Sequence, residues 1–96
     1  MKIAVVVLNW NGKYLLEKYL PDVVQNSKEA SIYVVDNASS DESVEYVKRQ
    51  FPEVKLIQLD DNYGYAGGYN RAIQQIDFPI QILMNSDVRP AENWLQ

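Results

Sequence analysis

The 96 residues contain no cysteine and no histidine. Without thiols there are no disulfides, no thiolate metal sites and no cysteine nucleophile, and the redox compartment is left open. Without imidazole the commonest general base and the nitrogen-rich zinc sites are excluded as well. Chemistry in this chain must rest on carboxylates, amides, hydroxyls or backbone N–H groups, with a hard metal ion as a further option. Positive charge is also scarce, with nine Lys and Arg against thirteen Asp and Glu, a net charge of −4 and a pI near 4.6. That is the reverse of a nucleic-acid footprint, so no nucleic-acid partner is expected and an anionic ligand needs local help. Long apolar runs are missing too: Ile3 to Leu8 falls far short of the roughly 18–20 residues that span a bilayer. It leads into Asn9-Trp10-Asn11 rather than a small-residue cleavage site, so neither a transmembrane helix nor a signal peptide is read here.

What is present is an ordinary globular balance, 47% apolar and 23% charged residues in 11.1 kDa, the scale of one domain. Lys2 to Leu8 is a β-branched run suited to a strand buried on both faces. Leu16, Tyr19, Leu20, Val23 and Val24 recur with the spacing of a helix laid against a sheet. Ser31 to Asp36 is a second strand, followed by the turn Asn37-Ala38-Ser39-Ser40-Asp41. Ser39 with Glu42 has capping-box spacing, and Val44, Val47 and Phe51 continue a short helix ended by Pro52. Lys55 to Leu59 is a third strand, Tyr69, Ala72, Ile73 and Ile76 mark a third helix, and Ile80 to Met84 is a fourth strand. Strand ends recur every two dozen residues or so, which is the rhythm of βαβ units. Right-handed crossovers then give an open, mainly parallel α/β sheet with helices on both faces, in the expected order 3-2-1-4. Pro90 to Gln96 reads as the start of a helix without an end, so residues 1–96 are expected to be a truncated half domain.

In such sheets ligands lie beyond the carboxyl ends of the strands, where the strand order reverses. Four polar segments qualify: Asn9 to Gly12, Asp36 to Asp41, Asp60 to Gly68 and Asn85 to Asp87. Asp36 could accept hydrogen bonds from ribose hydroxyls or a base imino group, or simply begin a turn. Gly64-Tyr65-Ala66-Gly67-Gly68-Tyr69-Asn70 could bring backbone N–H groups to a phosphate, or serve close helix packing. It matches neither G-x-G-x-x-G nor a P-loop. Asp87 after strand four could hold Mg²⁺ or Mn²⁺ against substrate phosphates, which needs only one or two protein carboxylates, or could form a turn. Tyr14, Tyr19, Tyr33, Tyr46, Trp94 and both Phe are expected in packing, and Asp60-Asp61 in a solvated turn.

In order and spacing, four segments together resemble the nucleotide-binding half of a family 2 glycosyltransferase of the GT-A fold. They are Val5-Val6-Val7-Leu8-Asn9-Trp10-Asn11-Gly12, Val34-Val35-Asp36-Asn37-Ala38-Ser39-Ser40-Asp41, Asn62-Tyr63-Gly64-Tyr65-Ala66-Gly67-Gly68-Tyr69-Asn70 and Leu83-Met84-Asn85-Ser86-Asp87-Val88. The Asn-Trp-Asn-Gly and Ala-Gly-Gly-x-Asn variants resemble its rhamnosyltransferase-like branch in bacterial surface-polysaccharide synthesis. The resemblance implies that Asn9, Asn11 and Asp36 hold the nucleoside, that Gly64, Gly67, Gly68 and Asn70 lie under nucleotide and diphosphate, and that Asp87 matches the last Asp of the family's D-x-D metal motif. It implies a divalent cofactor, Mg or Mn, a dTDP- or UDP-sugar donor, a glycan or lipid-linked acceptor, and inversion at the sugar. It implies a cytoplasmic place, at the inner membrane face in the parent protein. The sequence departs from the pattern at Asn85, the neutral first position of D-x-D, and at Tyr69, where other branches carry Arg. The family's catalytic base lies downstream, so this chain alone is expected to bind donor without turnover. The rivals are a receiver-like signalling module with Asp60 as phosphoacceptor and a non-catalytic nucleotide-binding fragment.

Overall fold

The computed structural model describes residues 2–92 and 94–95. Chain order is β1 (Ile3–Asn9), α1 (Lys13–Asn26), β2 (Ser31–Asp36), α2 (Ser43–Gln50), β3 (Lys55–Gln58), α3 (Gly64–Gln75) and β4 (Ile80–Asn85). All three strand pairings are parallel and the sheet order is β3-β2-β1-β4, as the βαβ rhythm predicts. Central β1 is buried on both faces, with Ala4, Val5, Val6 and Val7 at 0–1% exposure. Its odd and even positions feed different cores. Val5 and Val7 join Leu16, Leu20 and Val23 of α1, Val47 of α2, Ile32 and Val34 of β2, and Met84 of β4. Ala4, Val6 and Leu8 join Val35 of β2 and Tyr69 and Ala72 of α3. Thus α1 and α2 cover one face and α3 the other. Each fully buried aliphatic side chain contributes about 1.5–3 kcal/mol relative to exposure.

Several local expectations give way to packing. Ser39 does not cap α2: that helix begins at Ser43, because Asp41 accepts both the Ser43 N–H at 2.9 Å and its hydroxyl at 2.5 Å. Helix α3 starts at Gly64 and takes in the whole glycine-rich segment, while Ile73 is exposed on it and Ile76 packs just past its end. Helix α1 runs through Pro21, which sits on its exposed side. Tyr33, Tyr46, Phe51, Phe78 and Trp94 pack against the cores, but Tyr14 is 69% exposed. The stretch read as a C-terminal helix is a turn in its described part, with the Trp94 N–H reaching the Ala91 carbonyl at 3.3 Å. Asn93 and Gln96 of that stretch lie outside the described residues. The Trp94 indole N–H donates to the buried Ser27 hydroxyl at 2.8 Å, docking the segment after β4 beside α1. Among the described residues no helix is long and apolar enough to cross a membrane.

Candidate functional site

β1 has neighbours that leave it in opposite directions of the chain, β2 on one side and β4 on the other, and a cavity of about 380 Å³ opens beyond their carboxyl ends. That volume lies within the range of small-molecule sites, at the place where open α/β sheets hold ligands. Leu8 and Asn37 form its floor from β1 and the end of β2, Trp10 and Leu15 one wall, Asn62, Gly64 and Tyr65 the α3 wall, and Asn85, Ser86 and Asp87 the β4 wall. Asp87 is the one charged residue lining it among the described residues, and no Lys or Arg does. Trp10 offers an indole that is 55% exposed at this rim.

Asn37 was read from sequence only as part of a turn, yet it is central here. It is 2% exposed, its Oδ1 accepts the Tyr63 N–H at 3.1 Å and its Nδ2 donates to the Gly64 carbonyl at 2.9 Å. One amide thereby fastens the end of β2 to the start of α3, which suits a side chain that both donates and accepts. Gly68 allows the close approach: a Cβ there would stand 2.9 Å from Asn37 Nδ2 and 2.9 Å from Leu8 Cδ1. The chain enters α3 with Gly64 at φ +74°, a conformation that L side chains rarely adopt.

The sequence-predicted residues divide into three groups. Gly64 and Asp87 line the cavity. Asn9 and Asp36, the last residues of β1 and β2, and Asn11 in the loop after β1 lie beside it, joined to one another through Ser39. Asn9 Nδ2 donates to Asp36 Oδ1 at 3.0 Å, the Asn11 N–H to Ser39 Oγ at 2.8 Å, and Ser39 Oγ to Asp36 Oδ1 at 2.6 Å. Gly67, Gly68 and Asn70 are in the body of α3; none lines the cavity, and Asn70 is exposed. Asp60 and Asp61 are exposed in a turn beyond edge strand β3, where Asp60 accepts the Tyr63 hydroxyl.

Two tyrosines tie α3 to β4. The buried Tyr69 hydroxyl donates to the Met84 carbonyl at 2.5 Å, and burial pushes the phenol well above its ordinary range. The Tyr65 hydroxyl donates to Asn85 Oδ1, and the two rings meet edge to face at 5.1 Å. The β1 side is closed by Asp41, whose Oδ2 accepts the N–H of Lys13 at the first position of α1 at 3.1 Å. Partial burial works to raise the Asp41 pKa, but the Ser43 hydroxyl and N–H and the Lys13 N–H outweigh it and hold the carboxyl below its usual range. That carboxylate already occupies the α1 N-terminus, so an anionic ligand would meet the α3 and β4 walls instead.

For a divalent ion the β4 end supplies the Asp87 carboxylate, the Asn85 amide oxygen and the Ser86 hydroxyl, all oxygen donors of the kind Mg²⁺ and Mn²⁺ take. Among the described residues no group of three acidic or nitrogen and sulfur ligands could hold a metal unaided. The donor set therefore fits an ion shared with ligand phosphates rather than an all-protein cage.

Comparison with known proteins agrees with the fold. The fold is that of a mannosyltransferase from Pyrobaculum calidifontis solved in complex with GDP-Man and Mn²⁺, at a TM-score of 0.81 and 22% identity over 96% of this chain and 29% of that one. Staphylococcus aureus TarS in complex with UDP-GlcNAc superposes at a TM-score of 0.77 and 26% identity, over 91% of this chain and 27% of that one. A curated relative, the teichoic acid poly(glycerol phosphate) polymerase of Staphylococcus epidermidis, is 23% identical over 91 residues, 90% of this chain and 13% of its own length. The chain thus spans less than a third of the length of these relatives. The sequence model of glycosyl transferase family 2 matches residues 4–96, taking in all four strands and the loops that wall the cavity, and the chain belongs to that family.

Proposed function

We propose that these residues form the donor-nucleotide pole of an inverting glycosyltransferase, taking a nucleoside diphosphate sugar in the cavity between α3 and the end of β4. The observation that carries the reading is the placement of a lone carboxylate, Asp87, opposite the backbone of Gly64 and Tyr65 at the switch point of the sheet. Trp10 and Asn37 face the nucleoside, and Asn85, Ser86 and Asp87 face the diphosphate. A dianionic diphosphate beside Asp87, with no lining Lys or Arg, would be repelled without a divalent ion to offset the charge. Asp87, with Asn85 or Ser86, would hold a Mg²⁺ or Mn²⁺ ion, which would supply charge stabilisation to a departing nucleoside diphosphate. In the overall reaction an acceptor hydroxyl oxygen bonds to the anomeric carbon as the bond to the diphosphate oxygen breaks, and the hydroxyl proton passes to a base. Asp87 as metal ligand cannot also be that base. On this reading the isolated chain binds donor without turnover, since among the described residues no second carboxylate lines the cavity to serve as that base.

Within this reading the donor is a UDP- or dTDP-sugar and the acceptor a glycan or lipid-linked glycan, met in the cytoplasm at the inner face of the membrane. Asn9-Trp10-Asn11-Gly12 and Ala66-Gly67-Gly68-Tyr69-Asn70 favour the rhamnosyltransferase-like branch. Calorimetric titration of UDP and dTDP with Mn²⁺, with chelator, and with Asp87→Ala tests the proposal. Binding should require the ion and fall at least tenfold in the variant, about the worth of one charge-assisted contact. Metal-independent binding, or none by the folded chain, would refute it.

A further inference from the structure

We propose that Tyr65 is a positioning residue: its hydroxyl turns the amide oxygen of Asn85 toward α3, so that Asn85 offers its NH₂ group to the diphosphate and leaves the ion to Asp87. The inference deepens the donor-site reading and rests on it for the identity of the ligand.

Asn85 is the last residue of β4, and side chains alternate between the two faces of a strand. Its neighbour Met84 packs in the core beside α1, so Asn85 faces the side that α3 covers. There it meets Tyr65 in the first turn of α3, whose hydroxyl donates to Oδ1. Tyr65 does not reach across unsupported. Its ring rests edge to face on Tyr69 at 5.1 Å, one turn further along the helix, and the buried Tyr69 hydroxyl donates to the Met84 carbonyl at 2.5 Å. The helix that holds the amide is therefore fastened to the residue just before it. Tyr65 and Asn85 both line the cavity, and Tyr65 is 59% exposed, so their contact lies where a ligand can reach it.

An amide carries its acceptor and its two donors on opposite sides of one planar group. With Oδ1 turned to Tyr65, the NH₂ is the side left over, and among the described residues no protein acceptor meets it. No Lys or Arg lines the cavity, so a neutral donor here serves a diphosphate where a cation is missing. Hydrogen bonds to charged oxygens are the stronger kind. Oδ1 keeps a second lone pair after the Tyr65 bond, which makes a metal contact the competing role for Asn85. The two roles call for opposite chemistry at this position.

The test is calorimetric titration of UDP at saturating Mn²⁺ into the wild-type chain, Asn85→Asp, Asn85→Ala, Tyr65→Phe and the double variant Tyr65→Phe with Asn85→Ala. Asn85→Asp keeps the shape and an acceptor for Tyr65 but loses the NH₂ and adds a negative charge, so UDP affinity should fall at least about tenfold. If the amide oxygen were instead a ligand of the ion, a carboxylate would hold the ion better. Unchanged or tighter binding in Asn85→Asp would thus overturn the proposal. Tyr65→Phe should weaken UDP binding about three- to tenfold, the worth of one net hydrogen bond, and should cost nothing further in the Asn85→Ala background, because Tyr65 acts only through the amide. A loss that persists in the double variant would mean that Tyr65 meets the ligand itself, and no loss in Tyr65→Phe would mean that it positions nothing; either result refutes the inference. A second readout needs no ligand. ¹⁵N relaxation of the Asn85 side-chain NH₂ should show an ordered group in wild type and a mobile one in Tyr65→Phe, and equal mobility in the two would refute positioning. Failure of the wild-type chain to bind UDP would sink the donor reading instead, and the relaxation result would still decide whether Tyr65 holds the amide.

Discussion

Gly67 and Gly68 are neighbours in one helix, and alanine at each should give different results. In a helix interior Gly→Ala is worth up to about 1 kcal/mol of stabilisation from backbone entropy. At Gly67 the new methyl meets Tyr63 Cβ at 3.0 Å and Arg71 Nη1 at 3.6 Å, on the half-exposed side of α3, where a shift of a few tenths of an ångström relieves the contact. At Gly68 it would lie 2.9 Å from both Asn37 Nδ2 and Leu8 Cδ1. Both are buried, and Asn37 is held by its bonds to Tyr63 and Gly64. Overpacking of this kind costs about 1–3 kcal/mol, and displacing Asn37 forfeits about 1 kcal/mol more for each bond lost. Taking off the propensity gain leaves Gly68→Ala about 1–3 kcal/mol less stable, against a change between zero and about 1 kcal/mol in the stabilising direction for Gly67→Ala. Urea melts at constant m-value read both, and thermal melts should separate the variants by at least about 4 °C, since 1 kcal/mol moves Tm by about 4–8 °C in a domain this small. The reasoning fails if Gly68→Ala is as stable as Gly67→Ala, because the close approach of α3 to Asn37 would then impose nothing.

Three further outcomes follow from single sites. Gly64→Ala meets no atom within 4 Å, so its cost is the left-handed backbone alone, about 1 kcal/mol in a denaturant melt, with Gly64→Asn intermediate. Tyr69→Phe strips the Met84 carbonyl of a buried partner and should lose about 1–2 kcal/mol while leaving the fold intact by circular dichroism. The Asp41 carboxyl is held below its ordinary value, so its stabilising effect is complete above the unfolded-state pKa, near 4, and is lost as pH falls through the folded value. Asp41→Asn should therefore flatten the loss of stability below about pH 4 and leave the slope above pH 5 unchanged, as measured by urea midpoints across pH.

The strands and their order are legible in the sequence because each depends on a run of apolar residues. β1 is buried on both faces and reads as such, and the parallel order follows from the βαβ rhythm. Helix boundaries are less so, because they depend on partners distant in sequence. Ser39 and Glu42 have the spacing of a cap, but Asp36 takes Ser39 and Asp41 takes Ser43. The glycines of α3 look like a loop by propensity, yet Gly68 belongs inside the helix because the sheet surface at Leu8 and Asn37 leaves no room for a side chain. Part of the cavity lining is legible in the polar segments that follow the strands: Gly64 and Asp87, both named from the sequence, line it. Asn37 and Asp36 are harder to tell apart, since they are adjacent at one strand end, and only the fold reveals which of the two lines the cavity. The available signal is chemical: an amide can bridge an N–H and a C=O, whereas a carboxylate only accepts.

Paramagnetic broadening by Mn²⁺ in a ¹⁵N-labelled sample is the most direct test of the donor-site claim. With UDP present, substoichiometric Mn²⁺ should broaden the amide signals of Tyr65, Ser86 and Asp87 first. Signals of Lys28 and Ser31, at the amino ends of the strands, should keep their intensity, and Asp87→Ala should abolish the pattern. Broadening spread evenly over the surface, centred on another cluster, or unchanged in Asp87→Ala would contradict a metal–diphosphate site at the end of β4.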